Sequence, residues 1–205
     1  MGKVAADITM SLDGFVTGPE DGPGRGLGEG GERLHNWVMG RPWAYQDEGR
    51  RFDPLDVDRK VLEEAFGSIG AAIVGRGMFD VTGGWGGKPP GGPDARYIVL
   101  THSVPQEWVS PESPFSFVTD GIDSALAQAR AAAGGRDVTI GGGANVIQQY
   151  LAARLVDELR LHVAPVLLGA GKRLFDHLGD QVIELERTGV VESPYVTHLF
   201  FTIRS

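Results

Sequence analysis

The chain has 205 residues, 41% hydrophobic and 22% charged, which is ordinary for a soluble globular protein and long enough for one large domain with a sizeable core. A net charge of −8 argues against a nucleic-acid partner, and the absence of cysteine excludes disulfides, thiolate metal sites and cysteine nucleophiles. No run approaches the roughly 18 apolar residues of a membrane span, and MGKVAADITMSL lacks a signal-peptide pattern, so the expectation is a cytoplasmic protein with no membrane partner.

Residues 3–12 (KVAADITMSL) predict a strand that turns at Asp13-Gly14 into a short FVTG segment. Residues 19–31 are a glycine-rich loop with no packing pattern, and ERLHNWV predicts a short helix with Leu34, Trp37 and Val38 on one face. Residues 39–54 are irregular. Residues 56–66 predict an amphipathic helix, then AAIV (71–74) a buried strand ending at Gly75-Arg76. Strands are predicted at 96–101 and 115–118, and a helix from 122 that Gly134-Gly135 terminates. DVTI (137–140) is a strand leading into Gly141-Gly142-Gly143 and the helix ANVIQQYLAARL. DELRLHVAPVLLG reads as one long strand, and strands at 181–191 and 195–203 close the chain around Ser193-Pro194.

This alternation predicts an α/β fold: a mixed, mostly parallel central sheet, helices on both faces in three layers, and an antiparallel C-terminal edge. No composition shift marks a linker, so residues 1–205 read as a single domain.

Three strand ends carry donor-rich loops. In TIGGGANVIQQYL a strand meets three glycines that open a helix, an arrangement that lets backbone amides approach a phosphate. A tight turn without ligand is the plain alternative. In IVGRGMFD, Arg76 sits where strand meets helix and suits a phosphate fork, although surface arginines are common. In VLTHSVP, Thr101, His102 and Ser103 offer further partners. In open α/β sheets that edge is where ligands bind, and several phosphate-ready loops on it suit a dinucleotide.

The set SLDGFV, GRGMFD, VLTHS, IGGGANVIQQYL and LVDELRLHVAPVLLGAGKRLF resembles the dihydrofolate reductase-like superfamily. Within it the chain is similar to the reductase (C-terminal) domain of bacterial riboflavin-biosynthesis deaminase-reductases, the RibD C-terminal domain family. No deaminase segment precedes that domain in the sequence, so the expectation is a stand-alone form. The resemblance implies NADPH across the strand ends. Gly75, Arg76 and Met78 would hold adenosine-side phosphates, and Thr101, His102 and Ser103 would lie by the ribose 2′-phosphate. Gly142, Gly143, Ala144 and Asn145 would cover the pyrophosphate and nicotinamide ribose, and Val16, Thr17 and Gly18 would flank the nicotinamide. It also implies a homodimer through the C-terminal strands, for which LRLHVAPVLLG, apolar on both faces, is a second motive.

Dihydrofolate reductases carry an acid on the first long helix that anchors the pterin. Here the register puts Arg59 at that place and Asp58 one residue away, which argues against folate itself. Strand alternation puts Ala5, Asp7, Thr9 and Ser11 on one face, opposite an apolar one. Asp7 and Thr9 are therefore the catalytic candidates, with desolvation raising the Asp7 pKa toward proton-donor range. An Asp7 paired with an arginine or facing water is the alternative. Arg33, His35, Trp37 and Asp58 are the substrate-binding candidates, the first three as a lid that closes over a flat ring by stacking; a buried loop anchor is the plain alternative for Trp37, and Trp85 reads as a lid or a hydrophobic pin. His162 and His198 read as packed or edge residues, and the five histidines show no metal spacing. The expected function is an NADPH-dependent oxidoreductase that transfers hydride to a C=N or C=O of a small pterin- or pyrimidine-like heterocycle. The alternatives are an NADP- or flavin-binding module without turnover, or a dimeric structural relative.

Overall fold

The structure, a computed structural model, describes residues 2–47, 51–92 and 94–204. Its strands are β1 (Val4–Ser11), β2 (Phe15–Thr17), β3 (Ile69–Gly75), β4 (Arg96–Leu100), β5 (Phe115–Val118), β6 (Asp137–Gly142), β7 (Glu158–Ala164), β8 (Lys172–Arg173), β9 (Leu185–Ser193) and β10 (Val196–Ile203). The α-helices are α1 (Asn36–Met39), α2 (Asp56–Ser68), α3 (Arg76–Val81), α4 (Ile122–Ala133) and α5 (Ala144–Ala152). Eight strands form one sheet in the order β5-β4-β3-β6-β1-β7-β10-β9. The pairs from β5 to β7 are parallel, and β7-β10 and β10-β9 are antiparallel. The mixed α/β architecture expected from the alternation is the one observed.

The pleat sorts the core into two layers. Ala71 and Ile73 of β3 face a cluster with α4 and α5 residues such as Ala125, Ile147 and Tyr150. Ala72 and Val74, one residue out of phase, face Phe79, Tyr97 and Phe115. Phe79 of α3 makes edge-on contacts with Trp108, Phe115 and Phe117 at 5.2, 5.1 and 5.3 Å. Trp85 packs on Tyr97 at 5.3 Å in the same cluster, so it is a hydrophobic pin.

Three elements depart from the expected bounds. The strand predicted through Gly169 stops at Ala164. Pro165 has no N–H to continue the ladder, the Val166 amide turns back to the Ala164 carbonyl at 2.8 Å, and the Asp13 carboxylate then captures the amides of Leu168 at 3.1 Å and Gly169 at 2.8 Å. The two-sided apolar strand invoked for dimerisation is therefore a strand followed by a loop, with Leu167 70% exposed. β9 runs 185–193 instead of 181–191, because Gln181 instead caps α5 by donating to the Ala152 carbonyl at 2.8 Å. β6 continues to Gly142, so two of the three glycines belong to the strand.

Among the described residues, no helix is long and apolar enough to cross a membrane.

Candidate functional site

The sheet order reverses direction between β3 and β6, and the carboxyl ends of β3, β4, β5 and β6 open there onto a cleft of about 730 Å³. The two loops at the reversal run close together. A Cβ at Gly75 would sit 2.9 Å from Val146 Cγ2, so only glycine lets β3 turn out beside α5. Gly142 has φ +118° and is joined to Gly143 by a cis peptide. Gly143 then starts α5 with no side-chain cap and no acidic residue in the first turn. The Val146 amide already donates to the Gly143 carbonyl at 3.0 Å, so it is the Ala144 and Asn145 amides, without an intrahelical partner, and the partial positive charge of the helix start that face the cleft.

Arg76 stands at one end. Its Nε donates to Asp80 at 2.7 Å and its Nη1 to the Ser103 carbonyl at 2.9 Å. A guanidinium has five N–H donors, so three remain for a ligand from a fork already held in place. The neighbouring turn is braced internally: the Thr101 hydroxyl donates to the Ser103 carbonyl at 2.8 Å and accepts from the Ser103 amide at 3.2 Å. His102 and Ser103 are left exposed on the cleft wall.

At the other end the wall is formed by Ile8 and Thr9 of β1, Val16 of β2, and Leu34 and His35 of a 3-10 turn over Gly31–His35. Burial first, and the charge of His162 second, push the His35 imidazole down to about 4, so it is neutral at pH 7. Lys172 and Asp21 close the rim as an ion pair.

Of the residues expected to contact a cofactor, Val16, Thr17, Gly75, Arg76, Met78, Thr101, His102, Ser103, Gly143, Ala144 and Asn145 line this one cleft. Gly142 lies behind its wall, where a Cβ would meet Ile8 Cδ1 at 3.2 Å. Gly18 is also off the wall. It is a structural pin whose amide donates to the Leu27 carbonyl at 2.8 Å, and a Cβ there would collide with the Glu29 carbonyl. Thr119 and Gly121, beyond the end of β5, also line the cleft. The rule that singled out the other strand ends would have found them.

The substrate-side expectations fare differently. His35 and Thr9 reach the cleft, whereas Arg33 does not: its Nη1 donates to the Gly30 carbonyl at 3.4 Å and to Glu32 at 3.3 Å, beside a separate depression. Trp37 is 3% exposed and donates its indole N–H to Thr9 Oγ1 at 3.2 Å, so it is a buried anchor and no lid. Asp58 does point inward from α2, as its one-residue offset from Arg59 allowed. It is fully buried, however, and bonded to His198 Nε2 at 3.0 Å, away from the cleft wall. Arg59 turns outward to Asp53 at 3.2 Å.

Asp7 corrects the sequence reading most. Its partner is His162 Nε2, at 2.9 Å. Burial alone would raise its pKa, but the charge and hydrogen bond of His162, helped by Arg160 and His198, outweigh burial and hold the carboxyl below its usual range. Asp7 is thus an ionised acceptor, the reverse of the proton donor expected, and it is not on the cleft wall. His162 and His198, read as packed or edge residues, meet each other through Nδ1 at 2.6 Å. Pairing in register across β7 and β10 brings them together.

The Bacillus subtilis (strain 168) protein YyaP, itself uncharacterized, is 26% identical over 182 residues, covering 84% of this chain and 80% of its own. A putative riboflavin biosynthesis protein from Shewanella sp. PV-4 superposes with a TM-score of 0.68 at 19% identity, over 99% of both chains. The dihydrofolate reductase of Enterococcus faecalis, in complex with NADP(H), superposes with a TM-score of 0.56 at 20% identity, over 100% of this chain and 98% of its own. Residues 2–199 match the RibD C-terminal domain, and the chain belongs to that family.

Proposed function

We propose that this protein is an NADPH-dependent reductase that delivers hydride to a C=N or C=O carbon of a small pyrimidine- or pterin-like heterocycle. The observation that carries the reading is the convergence of four strand-end loops on one cleft, with a prepositioned guanidinium at one end and a pocket of Ile8, Thr9, Val16, Leu34 and His35 at the other. The donor set fits the cofactor: Arg76, His102 and Ser103 suit a ribose phosphate, and the uncapped start of α5 suits a pyrophosphate. The nicotinamide, when bound, supplies the hydride. The chain's own contribution is orientation, a largely apolar inner wall that thins out water, and two neutral hydrogen-bonding side chains, Thr9 and His35, beside the reacting end. Membership of the RibD C-terminal family and the likeness to an NADP(H)-bound reductase support the same reading.

A ligand that binds only the folded state raises the melting midpoint. NADPH is expected to raise it more than NADH or FMN at equal concentration, and a panel of pyrimidines, pterins and quinones is then screened for NADPH oxidation. A larger shift with FMN would replace the cofactor. A shift with NADPH and no turnover across the panel would favour a binding module, a reading to which the sealed Asp58 lends weight.

A further inference from the structure

Behind the inner wall of the cleft, four titratable side chains from four elements form an unbroken line. Asp7 Oδ1 of β1 meets His162 Nε2 of β7 at 2.9 Å, His162 Nδ1 meets His198 Nδ1 of β10 at 2.6 Å, and His198 Nε2 meets Asp58 Oδ1 of α2 at 3.0 Å. The arrangement follows from the sheet: Thr9, His162 and His198 are direct register partners across β1, β7 and β10, so they form one row on one face. Asp58 and His198 are fully buried, and His162 is 4% exposed.

A proton count decides what this line is. It has three links, and each link needs one hydrogen. An ionised carboxylate can only accept, and a neutral imidazole carries a single N–H. Two neutral rings between two carboxylates therefore supply two hydrogens for three links. That leaves either two Nδ1 lone pairs facing each other at 2.6 Å or a ring lone pair facing a carboxylate oxygen. One additional proton closes all three links, whether it is drawn on a ring or on a carboxyl, and leaves the group of four with a net charge of −1.

The other ionisable groups around the line agree with such a charge. Arg160 of β7 is the register partner of Asp7 and is itself bonded to Glu158 at 2.9 Å, with Asp137 of β6 beyond it at 3.9 Å. His35 approaches from the 3-10 turn, where burial first and the charge of His162 second push its ring down to about 4. Burial pushes the His198 ring down, with the hydrogen bond and charge of Asp58 offsetting part of that.

We propose that Asp7, His162, His198 and Asp58 hold one proton in common, and that this protonated line is the positioning device for Trp37 and, through its indole N–H, for the Thr9 hydroxyl in the cleft. Trp37 rests on both imidazoles, with centroids 4.9 Å from His162 and 5.1 Å from His198. An imidazolium against an indole is attracted to it. Thr9 Oγ1 accepts the indole N–H at 3.2 Å, which leaves its own hydrogen to donate. Under the reductase reading, on which only this last step rests, that hydrogen is the donor to a substrate carbonyl or ring nitrogen. When the shared proton leaves, the two Nδ1 lone pairs repel, the rings turn, and the seat of Trp37 moves with them.

The test uses the ligand-free protein, so its failure is separate from failure of the cofactor reading. In nitrogen-15 histidine spectra at neutral pH, two rings are expected to show protonated Nε2 and to share a far-downfield, exchange-protected proton between their Nδ1 atoms. Two independent rings, each with an unprotonated Nδ1, would overturn the proposal. Tryptophan emission, taken as the difference between wild type and Trp37→Phe, is expected to change in one step as pH is raised. Asp58→Asn keeps the size and an acceptor but removes the charge that favours the cation. It should move that step to lower pH by about one to three units, the usual effect of an adjacent opposite charge. An unmoved midpoint in folded Asp58→Asn would refute the shared proton, and if that variant does not fold, the wild-type spectra decide.

Discussion

Replacing Arg76 by alanine asks whether the outer end of the cleft reads a ribose phosphate. The guanidinium already spends Nε on Asp80 at 2.7 Å and one Nη1 hydrogen on the Ser103 carbonyl at 2.9 Å. It reaches a ligand with its three remaining hydrogens. A hydrogen bond to a charged group contributes about 1.5–3 kcal/mol, and each 1.4 kcal/mol is tenfold in affinity, so a full contribution is about 10- to 100-fold. Two features of the structure place the expectation at the lower end. Asp80 partly neutralises the cation, and the Arg76 side chain is 35% exposed, so salt screens it. We therefore expect Arg76→Ala to weaken NADPH binding by about tenfold at physiological ionic strength and by more at low salt. NADH, which lacks the 2′-phosphate, should bind almost as before. Calorimetric titration of both cofactors at two salt concentrations measures this directly. Equal losses for NADPH and NADH would show that Arg76 contributes only to the shape of the α3 start, through Asp80 and Ser103, and the assignment of the phosphate end would fall.

Gly143→Val is expected to abolish NADPH binding in a folded protein, because a Cβ at Gly143 meets no protein atom within 4 Å and would occupy ligand space. Gly142→Val should instead lower the melting midpoint, since φ is +118° and the Cβ would press on Ile8; normal NADPH binding by Gly143→Val would reduce the glycines to a turn. Asp13 accepts from the Ser11 hydroxyl and the Gly169 and Leu168 amides, which hold its carboxyl at about 2 against 3.8 unfolded. Its stabilisation is thus complete above 3.8 and lost as pH falls through about 2, and Asp13→Asn should flatten that part of an acid-unfolding curve; an unchanged curve would show that the clasp on the loop after β7 is idle. Tyr150→Phe removes the hydroxyl that donates to the Ile122 carbonyl at 2.8 Å and should cost about 1 kcal/mol in denaturant unfolding, with no loss signifying a solvated carbonyl. β9 is a free sheet edge with Val190 43% exposed, so a dimer through the C-terminal strands is expected in sedimentation at micromolar concentration, and a monomer would refute it.

Much of this protein was legible in one dimension. The 3.6-residue period of α2 and the 2-residue period of β1 depend on which side chains must leave water, and neighbours along the chain carry that information. The same holds for the outer half of the cleft. Gly75-Arg76, Thr101 to Ser103 and Gly143 to Asn145 each sit at the carboxyl end of a strand, and parallel strands place all such ends on one edge whatever their order in the sheet. Where chain-local rules met a distant partner, they failed. Pro165 and the Asp13 carboxylate ended β7 early, and Gln181 drew its segment to α5. The buried line behind the inner half of the site was illegible for the same reason. Asp7 and His162 are separated by 155 positions, His162 and His198 by 36, and His198 and Asp58 by 140. Strand alternation put Asp7 on the polar face of β1 and left the two histidines as packed or edge residues; only the register of β1, β7 and β10 and the placement of α2 over them decided that these side chains and Asp58 touch. A buried charge takes its protonation state from its nearest partner, so the chemistry of Asp7 was decided by tertiary structure alone.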